Sequence, residues 1–360
     1  MNQGNFFRLI NSIKTNPTFL AFNFGCRVNA AETNQLSQIL INHGFKHFLH
    51  PTSDFPSLVI INTCAITQKG EKESLQKIRS LKKQFPKSQI IATGCVNIKK
   101  RKGEACLVPH IINNKTKEKI LKNLTCPYTT KIQTTLTKHK KYLLKIQSGC
   151  ISFCSYCIVP YRRSYLWHLP IKQAVRQTNQ AIKNGFTQII ITGVNLNFYK
   201  PGLSNLVETL LKRTSVPLIS FGSIPINCID DKFINLIKNN KLRIKNFLHI
   251  PIQSGSDKIL KLMNRPYTRN DIIKKIKNLK LKIKNLKLGT DIIVGFPGET
   301  QKDFQQTHDL CQQIGFKKIH TFRFSPRPNT LAKKYYQKYP KLSSQTLKNR
   351  SLLIRSLMEK

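Results

Sequence analysis

The chain has 360 residues, 40% hydrophobic and 21% charged, which is enough apolar mass for one large or two moderate cores and excludes disorder as its main state. Its net charge of +45 calls for a polyanionic partner, nucleic acid first, with drift toward a lysine-rich composition as the competing reading. No apolar run is long enough to span a bilayer, and the start MNQGNFFRLINSIKTNP lacks a secretory signal's apolar stretch and cleavage site, so a cytoplasmic protein without membrane contact is expected.

Thr18 to Phe24 reads as a strand, Ala30 to His43 as a helix, Leu58 to Asn62 as a strand, Gly70 to Phe85 as a helix and Gln89 to Thr93 as a strand. That alternation predicts an open parallel α/β sheet in a domain over 16–130. A cysteine follows each strand: Cys26 in FGCRVN, Cys64 in INTCAIT and Cys95 in ATGCV. Carboxyl ends of parallel strands share one edge, where ligands bind, so the three thiols are expected to meet there. The plainer reading is three small buried residues at strand ends. Ten cysteines in a reducing compartment point to metal ligands or reactive thiols rather than disulfides; Cys106, Cys126, Cys228 and Cys311 match no motif. KIQTTLTKHKK, in a weakly periodic stretch that ends near residue 140, reads as a connector.

A second α/β series occupies 140–335, with strands expected at Tyr142 to Gln147, Gln188 to Thr192, Pro217 to Phe221, Phe247 to Pro251, Leu286 to Val294 and Lys317 to Arg323. Six βα units are too few for a closed eight-stranded barrel and predict a partial, open one, with its site at the carboxyl edge of the strands. A basic helix is expected over 336–360.

Directly after the first of these strands stands SGCISFCSYCIVPY, which spaces Cys150, Cys154 and Cys157 as C-x3-C-x2-C. Three thiolates on one loop can wrap one face of an iron–sulfur cluster and leave one iron open to a small molecule. Zinc would need a fourth ligand close by, and the nearest candidate, His168, lies well beyond the loop.

With Tyr156 before its third cysteine, this loop resembles the radical S-adenosylmethionine signature. The order FGCRVNAAET, INTCAIT, ATGC, QSGCISFCSYCIVPY, IIITGVNL, HIPIQSGSDKILKLMNRPYT, GTDIIVGFPGET and FSPRPNT resembles the methylthiotransferases over about residues 18 to 335. Its wording is nearest the tRNA enzymes that act on N6-threonylcarbamoyladenosine beside the anticodon. The resemblance implies a radical-SAM partial (β/α)6 barrel and two [4Fe-4S] clusters, with Cys150, Cys154 and Cys157 holding the radical cluster and Cys26, Cys64 and Cys95 the auxiliary one. It implies S-adenosylmethionine as cofactor, a reducing electron-donor protein, and a sulfur donor that the sequence does not identify. The implied reaction removes hydrogen from C2 of the adenine in tRNA through a 5′-deoxyadenosyl radical, inserts sulfur there and adds a methyl group from a second S-adenosylmethionine. The alternatives are methylthiolation of a ribosomal-protein aspartate and a catalytically silent iron–sulfur RNA-binding protein.

By the same resemblance, Tyr156 lies beside the cofactor adenine, Gly193 and Asn195 meet its methionine amino group, and Gln253 and Gly295 are weaker cofactor contacts. Arg162, Arg163 and Arg327 are the candidates for RNA phosphate. The sequence departs from the family after the cluster loop, where the usual run of glycine and further arginines reads Ser164, Tyr165, Leu166, Trp167, His168. The small RNA-gripping β-barrel that the family adds is expected to be absent, and RNA docking then falls to the C-terminal helix around Lys348, Arg350 and Arg355.

Overall fold

The computed structural model describes residues 1–48, 55–98, 107–122 and 141–358. The expected connector, Cys106 and Cys126 lie outside these residues.

The N-terminal unit runs α1 (Gln3–Ser12), β1 (Thr18–Asn23), α2 (Arg27–Asn42), β2 (Lys46–His47), β3 (Leu58–Thr63), α3 (Gln68–Gln84), β4 (Gln89–Gly94), β5 (His110–Ile112) and α4 (Asn114–Lys122). Its five strands pair in parallel in the order β2-β1-β3-β4-β5. Central strand β3, Leu-Val-Ile-Ile-Asn-Thr, is buried along its whole length, as a parallel strand covered on both faces must be. Helix α3 starts where Thr67 Oγ1 accepts from the Gly70 amide. Helix α1 was not expected, because Gly4 and the surrounding asparagines are poor helix formers. What holds it is long-range burial: Phe6 and Ile10 join Ile120 and Leu121 of α4 in one core, so the unit begins ahead of residue 16.

The second unit runs β6 (Lys141–Ser148), α5 (Val159–Arg162), β7 (Trp167–His168), α6 (Ile171–Lys183), β8 (Gln188–Gly193), α7 (Leu203–Arg213), β9 (Leu218–Phe221), α8 (Asp231–Asn239), β10 (Phe247–His249), α9 (Asp257–Leu262), α10 (Arg269–Lys282), β11 (Lys287–Val294), α11 (Gln301–Ile314), β12 (Lys318–Arg323), α12 (Leu331–Lys338) and α13 (Ser344–Ser356). Strands β6, β8 and β9 are parallel, with β7 antiparallel on the β6 edge. A second parallel set, β10-β11-β12, joins them through bridges Ile219–Ile244 and Ser223–His249. The result is a wall of six parallel strands with β7 on its edge, the partial barrel expected. Strand β10 stops at His249 rather than Pro251, whose nitrogen has no hydrogen for the ladder.

Outside this wall, Leu144, Ile146, Ile189 and Ile191 pack with Ala174, Ala181, Leu206 and Leu210 of α6 and α7. The N-terminal unit meets the wall through α2: Glu32 pairs with Lys145 of β6, and Arg27 Nη1 donates to the carbonyl of Phe221 at the end of β9, 3.0 Å away.

The basic C-terminal helix expected over 336–360 is two helices, because Pro340 ends α12 just after its cap Tyr339. Helix α13 is part of the barrel: Ile354 enters the core, and Arg350 is buried with Nη1 2.6 Å from Glu299 Oε2 and its guanidinium over the Phe304 ring. Arg350 is therefore not free to meet RNA, while Lys348 and Arg355 are exposed.

Candidate functional site

Three of the six motif cysteines follow a glycine with positive φ: Gly25 at 93°, Gly94 at 104° and Gly149 at 90°. Each lies where a strand turns into its loop, and each turn is closed to larger residues by a neighbour. A Cβ on Gly25 would lie 2.7 Å from Cys64 Sγ; one on Gly94 would overlap the Thr63 backbone, and one on Gly149 the Tyr165 carbonyl oxygen. Glycine is thus required there both for backbone conformation and for space.

Around the N-terminal thiols the loops are tied together by buried polar groups. Asn29 Nδ2 donates to the carbonyls of Phe24 and Thr63, both at 2.9 Å, and the Cys95 amide donates to the Thr63 carbonyl at 3.0 Å. These bonds gather the ends of β1, β3 and β4. Burial pushes the Cys64 thiol up to about 11, and Cys95 and Cys26 lie within electrostatic reach and push the same way. A soft cation that takes thiolates relieves both effects.

The second set sits on the loop after β6. The Cys150 amide donates to the Arg163 carbonyl (3.2 Å) and the Cys157 amide to the Cys154 carbonyl (2.9 Å). Phe153 takes a φ of 44°, and Asn264 Nδ2 donates to the carbonyls of Ser152 and Phe153, bracing that strained turn. Ser155 is clamped by its amide on the Met263 carbonyl and its hydroxyl on the Leu262 carbonyl. Three donors reach the sulfurs: Arg265 Nη1 lies 3.2 Å from Cys154 Sγ, and Asn195 Nδ2 and the Ser152 amide each lie 3.5 Å from Cys150 Sγ. Burial pushes the Cys157 thiol up to about 12. Three thiols, donors aimed at sulfur and, among the described residues, no carboxylate partner suit an iron–sulfur cluster, whose potential such hydrogen bonds tune.

One arginine connects the two cysteine sets. Arg163, whose carbonyl holds the Cys150 amide, sends Nη1 to Glu32 Oε1 at 2.7 Å and Nη2 to Glu32 Oε2 and Asn29 Oδ1, each at 2.8 Å. Glu32 also receives Lys117 at 2.6 Å and Lys145 at 3.3 Å, and Lys145 reaches Glu118 at 2.7 Å. Burial alone would raise the Glu32 carboxyl; Arg163, Lys117 and Lys145 together hold it well below the usual carboxylate range.

The arginine assignments therefore change. Arg163 is 1% exposed and Arg327 is 2% exposed, paired with Glu71 at the start of α3, so neither faces a phosphate. Charge in the sequence had marked them; an internal acid, invisible at a separation of 131 or 256 residues, claims them. Arg162 is half-buried, with its carbonyl accepting from Asn114. Asn195 is bound into the radical loop, also donating to Ser152 Oγ at 3.0 Å, and Gly193 lies just before it against Gln147 and Leu196. Tyr156 packs with Met263 and Phe296. Gln253, at φ 71°, follows β10 and donates its amide to the Asp291 carbonyl. Gly295 faces α13, where a Cβ would overlap Leu347. Glu32, Asn29, Lys117, Lys145, Asn264 and Arg265 were not singled out from the sequence, although GCRVNAAET contains Asn29 and Glu32, and LMNRPYT contains Asn264 and Arg265.

A partial barrel carrying a three-cysteine loop after its first strand defines the radical S-adenosylmethionine class, and residues 144–311 match the family described as the radical SAM superfamily. Residues 18–111 match the uncharacterized protein family UPF0004. The chain is 32% identical over 333 residues to the threonylcarbamoyladenosine tRNA methylthiotransferase MtaB of Chlamydia pneumoniae, covering 90% of this chain and 78% of the relative. It is also 32% identical over 336 residues to the tRNA-2-methylthio-N(6)-dimethylallyladenosine synthase of Thermodesulfovibrio yellowstonii, covering 86% and 77%. Among solved structures, the radical S-adenosylmethionine methyltransferase TsrM from Kitasatospora setae superposes with a TM-score of 0.62 at 12% identity, over 88% of this chain and 77% of that one. The cobalamin-dependent enzyme OxsB gives 0.56 at 15% identity, over 97% and 57%. The chain belongs to the radical S-adenosylmethionine methylthiotransferase family and is an enzyme of that kind.

Proposed function

We propose that the protein transfers a methylthio group to C2 of N6-threonylcarbamoyladenosine beside the anticodon of tRNA, using S-adenosylmethionine and two [4Fe-4S] clusters. The observation that carries this reading is the pair of three-cysteine sets, each at the carboxyl edge of a parallel sheet and both tied to Arg163. The MtaB name of the Chlamydia pneumoniae relative supports the choice of substrate.

When bound, the open cluster supplies reductive cleavage of S-adenosylmethionine and the auxiliary cluster supplies the site of sulfur delivery. The chain's own groups position and shield. Cys150, Cys154 and Cys157 would hold the first cluster, with Arg265 and Asn195 donating to its sulfur ligands. Cys26, Cys64 and Cys95 would hold the second, oriented by Asn29 and the Thr63 carbonyl. Tyr156 and Gly193 border the first set and are the proposed cofactor contacts. An adenine C2–H offers no acid–base handle, so the reaction needs no general base, and none is assigned.

Cys154→Ala is expected to abolish formation of 5′-deoxyadenosine, whereas Cys64→Ala is expected to retain it and lose methylthiolation, read by anaerobic turnover and chromatography. Mass spectrometry of tRNA nucleosides from cells with and without the gene tests the substrate. The 2-methylthio mark is expected on threonylcarbamoyladenosine. Its loss from dimethylallyladenosine instead would assign the activity named for the Thermodesulfovibrio relative, and unchanged tRNA would refute the reading.

A further inference from the structure

His249, Asp291 and His320 belong to neither cysteine set. They come from three adjacent strands, β10, β11 and β12, at positions set by the ladder: Asp291 lies opposite His320, and His249 opposite Gly289 two residues earlier. Leu248, Ile292 and Ile319, each next in sequence to one of the three, enter the core with α10 and α11 residues such as Ile276 and Leu310. Strand alternation therefore turns His249, Asp291 and His320 to the inner face of the wall.

One carboxylate oxygen is the focus of the group. Asp291 Oδ1 lies 2.9 Å from His249 Nε2 and 3.2 Å from His320 Nδ1, and the three ligand atoms fall within 4.8 Å of one another. The rings are 5.1 Å apart at a 37° tilt. Gly289 makes room for this: a Cβ there would stand 2.8 Å from His249 Nδ1. Asp291 begins no helix, and among the described residues no lysine or arginine pairs with it, in a chain with 61 such residues. A mostly buried carboxylate on a rigid wall thus has two imidazole nitrogens as its side-chain partners and no fixed positive charge.

We propose that His249, Asp291 and His320 form a binding site for one zinc-type divalent cation on the inner face of the barrel. Two neutral imidazoles and one carboxylate suit a borderline metal ion, and three protein ligands leave coordination positions open to water or to an oxygen or nitrogen of a substrate. The ligands sit on strands, so little rearrangement is needed: the cation binds His249 Nε2, His320 Nδ1 and Asp291 Oδ1, and each neutral ring carries its one proton on the other nitrogen.

The site is independent of the cluster assignment and is tested apart from turnover. The protein, reconstituted with iron and sulfide without oxygen, is equilibrated with micromolar Zn2+, desalted and measured by elemental analysis and zinc-edge X-ray absorption. One zinc per chain is expected, with a shell of nitrogen and oxygen at about 2.0–2.1 Å and no sulfur near 2.3 Å. Asp291→Asn and His320→Ala are expected to weaken retention at least about tenfold. No retained zinc, or a zinc shell containing sulfur, overturns the proposal, and this result needs only the unaltered protein. Retention unchanged in both folded variants also overturns it, leaving the two rings as hydrogen-bond donors alone.

Discussion

Gly25, Gly94 and Gly149 do for the cysteines what no side chain can: they let a strand reverse within one residue so that the next thiol faces the sheet edge. Gly149 is the most constrained, since a Cβ would come nearer to the Tyr165 carbonyl oxygen than one on Gly94 would to the Thr63 backbone. Gly149→Ala is expected to keep the N-terminal cysteine site and lose the radical loop, giving roughly half the wild-type iron after reconstitution and no 5′-deoxyadenosine. Full iron content and normal cleavage would show that the loop can yield. At this scale the sequence was informative about the cysteines, because the Gly-Cys pairs and the C-x3-C-x2-C spacing are local. It was misleading about Arg163 and Arg327, because nothing adjacent in the chain shows where a guanidinium ends.

At the level of elements, α2 is the piece that makes two units into one site. Its first turn orients the N-terminal cysteine loops through Asn29, and one turn later Glu32 collects Arg163, Lys117 and Lys145. Removing Glu32 leaves Arg163 and Lys117 buried without a carboxylate, while Lys145 keeps Glu118, so Glu32→Gln is expected to cost about 3–5 kcal/mol, read as a lower urea midpoint. Trp167, the only tryptophan, lies 4.9 Å below Lys145 Nζ and reports on this junction by fluorescence. The Glu32 carboxyl is depressed in the folded state, so its contribution is complete above the usual glutamate range and disappears as pH falls through its lower native value. Acid titration should therefore leave the Trp167 signal steady at pH 5 and change it only below about pH 4, a step that Glu32→Gln should not show. A junction that opens near pH 6 would contradict this account. The longer strands of both sheets were readable from their apolar runs, but β2, β5 and β7, two or three residues each, were not. Helix α1, the break between α12 and α13, and the α2 junction were not, since each depends on partners distant in the chain.

Across the whole molecule, charge is sorted rather than merely unbalanced. Among the described residues the acids are occupied: Glu32, Glu118 and Glu299 in buried pairs, Asp230, Asp271 and Asp303 at helix starts, Glu71 on Arg327 and Glu208 on two lysines. Most lysines remain exposed, so the exterior meets solvent as an almost unopposed cationic surface. Binding to tRNA is expected to weaken steeply and log-linearly with salt in a gel-shift series; salt-insensitive binding would exclude a phosphate-dominated mode. Composition alone foretold the sign of this surface, but not that Arg163 and Arg327 would be withdrawn from it.

Helix α13 carries one more implication. Burial already raises the Glu299 carboxyl, and Arg350 is the cation that answers it, while Leu347 fills the hollow above Gly295. Cutting the chain before Ser344 would strand an acid in an oily pocket and uncover apolar surface beside β12, the last strand of the wall. Such a shortened protein should self-associate on sedimentation, so the tail is better regarded as the clasp of the barrel than as a handle for nucleic acid.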